Sequence, residues 1–384
     1  MSTLPPLHGH EAARATLTLA ARAGDLPGSL LIHGPAGVGK QRLGLWLGQL
    51  LLCANPTADG PCDACTACRL AVRLEHPDLH WFFPLPRPRG VSGPDRLADA
   101  LEEARAAELD ARRADPFRTT APGEPVGLFL AQIQTIRRLA YQRPAMGRRK
   151  VFLIGGAEAL VPQESSPEAA NALLKVLEEP PPDTTLILTA TDPGALLDTI
   201  RSRLLPVRLR ALRNDEVADF LVRHRHVDAE AARTAARLAE GSIGRALGFL
   251  PVDGEPGPLE TLRQDARTLL AAAAAPSPVR RLAAAHKLPP AGARGTFTAT
   301  LDFLSLWLRD LAAIAAGAED VIVNGDARDF LRDLARRLPA AGDAAPEAIR
   351  AVDEARALAY GNVNPQLILA HLLASLHRTL AAAT

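Results

Sequence analysis

Gly34 to Lys40 read G-x-x-x-x-G-K, the first stretch of this chain whose spacing could do chemistry. Gly34, Gly37 and Gly39 let the backbone curl so that its N–H groups face phosphate oxygens, and Lys40 adds a point charge beside them. An apolar strand over 29–33 precedes the loop and a helix over 41–53 follows, so a helix N-terminus also faces the anion. Strand, glycine loop, lysine and helix in that order predict a P-loop. The next position is where a Ser or Thr hydroxyl binds Mg²⁺, and it holds Gln41. An amide on a longer stem does not easily take that place. Binding of ATP or ADP therefore stays open, while metal-assisted hydrolysis is disfavoured.

Cys53, Cys62, Cys65 and Cys68 follow as C-x8-C-x2-C-x2-C. Four thiolates at such spacing predict a tetrahedral Zn²⁺ site, structural rather than catalytic because no ligand position is left open. They are all the cysteines of the chain, which argues against a secreted disulfide scaffold. His76 and His80 lie nearby, but four sulfurs already satisfy zinc, and His76-Pro77-Asp78 reads as a turn.

The segment 151–154 reads as a buried strand. In a P-loop ATPase such a strand ends in two acids, one holding Mg²⁺ through water and one polarising the attacking water. Gly155 and Gly156 stand in those places, and Glu158 comes two residues too late. With Gln41, the glycines predict a nucleotide-binding fold that has lost its own hydrolysis chemistry. The competing reading is an independent ATPase with unusual acids, which predicts turnover by the chain alone.

A third stretch, 171–203, reads as a helix stopped by Pro180, Pro181 and Pro182, a β-rich run over 184–189, and a short segment carrying Arg201 and Arg203. A guanidinium held beyond the carboxyl end of a sheet suits a phosphate on another molecule, or a local carboxylate. NALLKVLEEPP followed by Ser202-Arg203 resembles the clamp-loader branch of the AAA+ ATPases, where the pair belongs to a Ser-Arg-Cys motif; here Leu204 replaces the cysteine. The four-cysteine module between the P-loop helix and the second strand resembles that of bacterial clamp-loader subunits. The resemblance implies that Arg203 is a finger reaching the nucleotide of a neighbouring subunit. It implies that Arg245, in LAEGSIGRAL, stands at the second-sensor position, and that Thr189 or Thr191 senses the γ-phosphate, although a threonine there also suits capping the turn at Asp192-Pro193. It further implies a non-hydrolysing place in a five-membered ring with γ/τ-type and δ-type neighbours, acting on a sliding clamp and primed DNA. An ATP-hydrolysing γ/τ-like subunit is the alternative within the family, and should keep Lys-Thr and Asp-Glu. A zinc-stabilised scaffold in which neither P-loop nor finger acts is the third reading.

These motifs need an α/β P-loop domain of the AAA+ kind over 1–210, a parallel sheet flanked by helices with the zinc module at 53–68. A proline- and arginine-rich insertion over 85–125 interrupts it. There, Arg87 and Arg89 read as isolated basic residues, 98–113 reads as a solvated helix because large apolar residues are few, and 115–127 as loop. A helix over 126–142 follows. A helical lid at 211–255 and an all-α collar at 256–384 complete the chain, with helices expected at 259–275, 296–316, 327–338, 346–360 and 365–382. Of 384 residues, 47 % are apolar and the net charge is +1, so no global field marks a nucleic-acid binder. No long apolar run or signal-type leader stands out, and a cytoplasmic protein without membrane contact is expected.

Overall fold

The computed structural model describes residues 4–91, 93–118, 126–160, 168–287, 294–338, 340–359, 361 and 363–381. Positions 92 and 119–125 of the expected insertion lie outside these residues, as do 360 and 382, where two expected helices end. The described chain falls into two compact units, Met1–Thr119 with Pro125–Ala232 and Ala239–Arg245, and Arg233–Leu238 with Ala246–Thr384.

In the first unit the strands are β1 (Ser29–His33), β2 (Leu79–Phe82), β3 (Leu85–Pro86), β4 (Val126–Gly127), β5 (Lys150–Ile154), β6 (Thr184–Ala190) and β7 (Leu205–Arg208). Five form one parallel sheet in the order β2-β5-β6-β1-β7, with His33 paired to Ala190 and Ile154 to Leu188. Because all five run the same way, the segments after β1, β5 and β6 emerge along one edge, where ligands of open α/β sheets bind. The helices are α1 (Glu11–Ala23), α2 (Lys40–Leu52), α3 (Thr66–Val72), α4 (Pro94–Ala114), α5 (Leu130–Ala140), α6 (Glu168–Glu178), α7 (Asp198–Arg201) and α8 (Asn214–Arg225).

Alternation along the strands builds a core on each face. Leu30, Ile32, Val151, Leu153 and Ile187 pack with α2 residues such as Leu43 and Leu47. Leu31, Phe152, Ile154, Leu186 and Leu188 pack with Ile133 and Ile136 of α5 and Leu173 of α6. Both faces being covered, the central strands read as continuous apolar runs. Lys150 is buried at the start of β5, yet its Nζ donates to the carbonyls of Leu139, Ala140 and Gln142 at and just past the C-terminus of α5.

The insertion differs from expectation. The helix α4 is longer than expected and is packed, not solvated: Leu101 is fully buried, Arg105 lies 4.7 Å over the Phe82 ring, and Arg112 lies 4.5 Å from Trp81 and 4.4 Å from Phe83. Arginine stems and guanidinium faces supply the apolar surface that the sequence lacked. Residues 126 and 127, expected at the start of a helix, instead pair with Leu85 and Pro86 as the short antiparallel ribbon β3-β4, and the helix begins at Leu130.

The helices α9 (Ala229–Leu238) and α10 (Ile243–Phe249) cross the division between the units. The second unit continues with α11 (Pro258–Ala274), α12 (Pro278–His286), α13 (Arg294–Ala315), α14 (Arg328–Arg337), α15 (Ala341–Ala359) and α16 (Pro365–Ala381). Its centre is α13, packed against α11, α14 and α15, while α16 packs on α11, α12 and α15. The sequence reading lacked α12 and started α15 five residues late, at Pro346, which lies inside the helix near its start. Arg263 ties α11 to the segment before α14 through Asn324 at 3.0 Å and Asp326 at 2.7 Å. No helix among the described residues is long and apolar enough to cross a membrane.

Candidate functional site

The P-loop leaves β1 at Gly34, whose φ of 150° suits glycine, and an added Cβ there would stand 2.3 Å from the Leu209 carbonyl oxygen. At Gly37 (φ 71°) a Cβ would meet the Ser242 hydroxyl at 2.3 Å. The Gly37 carbonyl accepts from Gly244 N–H at 2.9 Å, and Val38 O lies 2.7 Å from His10 Nε2. Gly39, also at positive φ, is the N-cap of α2.

Lys40 opens α2 and is 8 % exposed. Its Nζ donates to Gly34 O at 2.8 Å, Pro35 O at 2.7 Å and Thr191 Oγ1 at 3.2 Å. Burial lowers its pKa, and the Glu158 carboxylate partly restores it. Glu158 does not reach the place of a catalytic acid: its Oε1 accepts from Thr191 N–H at 3.0 Å. The turn after β6 is capped by Asp192, whose carboxylate accepts from Gly194 N–H at 2.8 Å. Thr191 is therefore on the P-loop lysine, while the Thr189 hydroxyl accepts from Gly156 N–H at 3.1 Å.

Gln41 and Gly155 turn out to share one space. A Cβ on Gly155 would lie 2.7 Å from each of the Cδ, Nε2 and Oε1 atoms of Gln41, so the amide lies flat over the glycine. Trp81 Nε1–H donates to Gln41 Oε1 at 3.0 Å and holds the amide there. The Trp81 ring, itself buried, is the one that carries the Arg112 guanidinium. Sequence reasoning singled out Gln41 and Gly155 separately and missed their contact and its Trp81 anchor.

Cys53 ends α2, Cys62 and Cys65 lie in the following loop, and Cys68 lies in α3. Their four Sγ atoms lie within 4.8 Å of one another, with Cys62–Cys68 at 3.9 Å and Cys53–Cys65 at 4.0 Å. A tetrahedral ion with Zn–S bonds of about 2.3 Å needs sulfurs about 3.8 Å apart. Sulfurs also accept from backbone N–H groups: Cys53 from Cys62 N–H, Cys62 from Cys65 N–H and Cys65 from Cys68 N–H, at 3.3–3.4 Å. Backbone donors at Ala64 and Cys65 pull the Cys62 thiol down to about 6, whereas burial pushes Cys68 up. The donor set fits a metal ion that demands thiolates, and these four residues could hold one. Neither His76 nor His80 belongs to the cluster: His76 Nδ1 accepts from Asp78 N–H at 3.1 Å, and His80 stacks on Phe152 at 4.7 Å.

Arg203 follows α7 and is half-exposed. Its Nη1 donates to Thr199 O at 2.7 Å and its Nη2 meets Glu178 Oε1 at 2.8 Å. Ser202 is the C-cap of α7, with Oγ 3.3 Å from Thr199 O, and Arg201 pairs with Asp198 at 2.7 Å. Arg245 is 3.9 Å from Glu240, while its Nε is buried without a partner.

Residues 9–213 match the family model described as DNA polymerase III, delta subunit, and residues 263–378 match the model described as DNA polymerase III, delta subunit, C terminal. A Pseudomonas aeruginosa protein named DNA polymerase III subunit delta′ is 35 % identical over 173 residues, 45 % of this chain and 40 % of that protein. An Escherichia coli protein of the same name is 27 % identical over 225 residues, 59 % of this chain and 55 % of that protein. Escherichia coli DNA polymerase III subunit tau is 29 % identical over 250 residues, 64 % of this chain and 32 % of that protein. The chain thus spans about half the length, or less, of these curated relatives. Two matched segments, a parallel P-loop sheet with a four-cysteine module and a helical C-terminal unit converge, and the chain belongs to the DNA polymerase III delta-prime family of AAA+ clamp-loader subunits.

Proposed function

We propose that this chain works as a non-hydrolysing subunit of the DNA polymerase III clamp loader, donating Arg203 in trans to a neighbour's ATP. The observation that carries this is the Gln41 amide lying where an acid at position 155 would stand. With that place filled and Gly156 beside it, the chain lacks both a metal-holding carboxylate and a base. Arg203 remains a half-exposed guanidinium just past the C-terminus of α7. In a neighbour's site it would stabilise charge on the phosphoryl group in transfer, and Ser202 would help set its direction. The cysteine cluster holds structural Zn²⁺ in this reading. Residues 211–255 act as the lid and 256–384 as the collar of a five-membered ring with γ/τ and δ subunits, which loads the sliding clamp on primed DNA in the cytoplasm.

The test is clamp- and DNA-stimulated ATP turnover of the reconstituted loader. Arg203→Ala should cost about 10³- to 10⁵-fold at the one site that receives the finger, with assembly intact. The isolated chain should show no turnover. The Arg203–Glu178 ion pair favours a second reading, a scaffold in which Arg203 only ties α7 to α6. Unchanged turnover of the Arg203→Ala loader would select it.

A further inference from the structure

The P-loop pairs an anion-seeking half with a half that offers a metal no carboxylate at position 155 and no hydroxyl at position 41. On the first side, Lys40 is buried and no carboxylate lies within ion-pair distance among the described residues; its three partners are two carbonyls and a hydroxyl. The Glu158 carboxylate acts on it only from beyond ion-pair distance, so the ammonium still has no contacting counter-anion among the described residues. Gly34, Gly37 and Gly39, all at positive φ, shape the backbone around it.

On the second side, Mg²⁺ requires oxygen ligands in near-octahedral order. Position 155 has no side chain, and the Trp81 indole N–H occupies one of the two lone pairs of the Gln41 oxygen. The indole N–H can only donate, so it fixes which end of the amide is oxygen. The Nε2 end is left facing away from Trp81 with no hydrogen-bond partner among the described residues. An amide donor is thus left free on the residue that follows the P-loop lysine.

We infer that the P-loop takes the polyphosphate of a nucleoside di- or triphosphate without a divalent metal, with Gln41 Nε2–H donating to phosphate oxygen in the metal's stead. This deepens the non-hydrolysing reading of the site, but it concerns the isolated chain and stands or falls apart from the finger. Trp81 is a positioning residue here, since it acts only through the amide that it orients.

The experiment is calorimetric titration of the full-length chain with ADP and with ATP, each freed of divalent ions on a resin. Magnesium is withheld rather than chelated, because a chelator would attack the cysteine site. Saturable binding is expected, with the Kd unchanged to within about threefold when Mg²⁺ is added. Gln41→Leu removes one hydrogen bond to a charged group and should weaken metal-free binding about tenfold. Trp81→Phe keeps the ring but frees the amide and should weaken binding by a smaller factor, about threefold. Tightening by about tenfold or more with Mg²⁺ would overturn the proposal. So would a folded wild-type chain that binds neither nucleotide, or a Gln41→Leu chain that binds as well as wild type.

Discussion

A glycine is usually explained by what its backbone needs, but Gly155 is explained by its neighbour. The Gln41 amide fills its side-chain space, with three atoms at 2.7 Å from a would-be Cβ. Gly155→Asp alone should therefore overpack the site and cost about 1–3 kcal/mol in denaturant unfolding. Paired with Gln41→Ser, the same aspartate should be tolerated, and a double-mutant cycle should report coupling of about 1 kcal/mol or more. His80 gives a second prediction at this scale. Burial, aided by Arg105, lowers its pKa from 6.5 to about 4. The folded state therefore prefers the neutral ring. Its contribution is whole above about pH 6.5 and is lost as pH falls toward 4, by up to about 3 kcal/mol. Urea titrations from pH 7 to 4 should show a flatter decline for His80→Gln than for wild type. Asp78 nearby is opposite in kind: burial would raise it, but the N–H groups of Gly147, Ala145 and Met146 outweigh burial and hold it below the usual range. Residue types were legible in the sequence at each of these positions, but the partners that decide their behaviour come from other strands and loops.

At the level of elements, strands were read best. The sheet strands β1, β5 and β6 are continuous apolar runs, and burial on both faces leaves no other pattern for them. The insertion was read worst, because the packing face of α4 has few large apolar residues, such as Leu97, Leu101 and Leu109, and is completed by Arg105 and Arg112, residue types that count as solvent-facing in any periodicity. The missing α12 is short, and its middle is arginines and alanines around one exposed leucine, Leu282. The cysteine module was legible because its ligands are close in sequence. It links the end of α2 to α3, and four free thiols cannot replace the ion that would hold them. Treatment with a strong chelator should release about one Zn²⁺ per chain, by colorimetric assay, and free four thiols to a thiol reagent. Hydrogen exchange should then speed up across 53–72, while β1, β5 and β6 stay protected.

For the whole molecule, the proposed division of labour is between a P-loop at one edge of the sheet and Arg203, which its own chain holds at Thr199 O and Glu178. The Arg203–Glu178 pair is half-exposed, so it contributes little to stability, about 0–1 kcal/mol. Glu178→Ala should leave the melting curve nearly unchanged. In the assembled loader the variant should keep or raise ATP turnover, since it removes a competitor for the guanidinium. A fall in turnover with assembly intact would mean that Glu178 aims the finger. The P-loop and cysteine motifs and the Ser202-Arg203 pair carried the sequence reading this far because each is local. The role proposed for Arg203 depends on a second chain, which no single sequence contains.

The interlock of Gln41, Gly155 and Trp81 also has a historical side. Putting back the hydroxyl at 41 leaves no acid, and putting back the acid at 155 collides with the amide. In the proposed non-hydrolysing reading, each single step back toward an ATPase is neutral at best and destabilising at worst. On the proposed reading the P-loop behaves as an evolutionary ratchet, because hydroxyl and acid would have to return together.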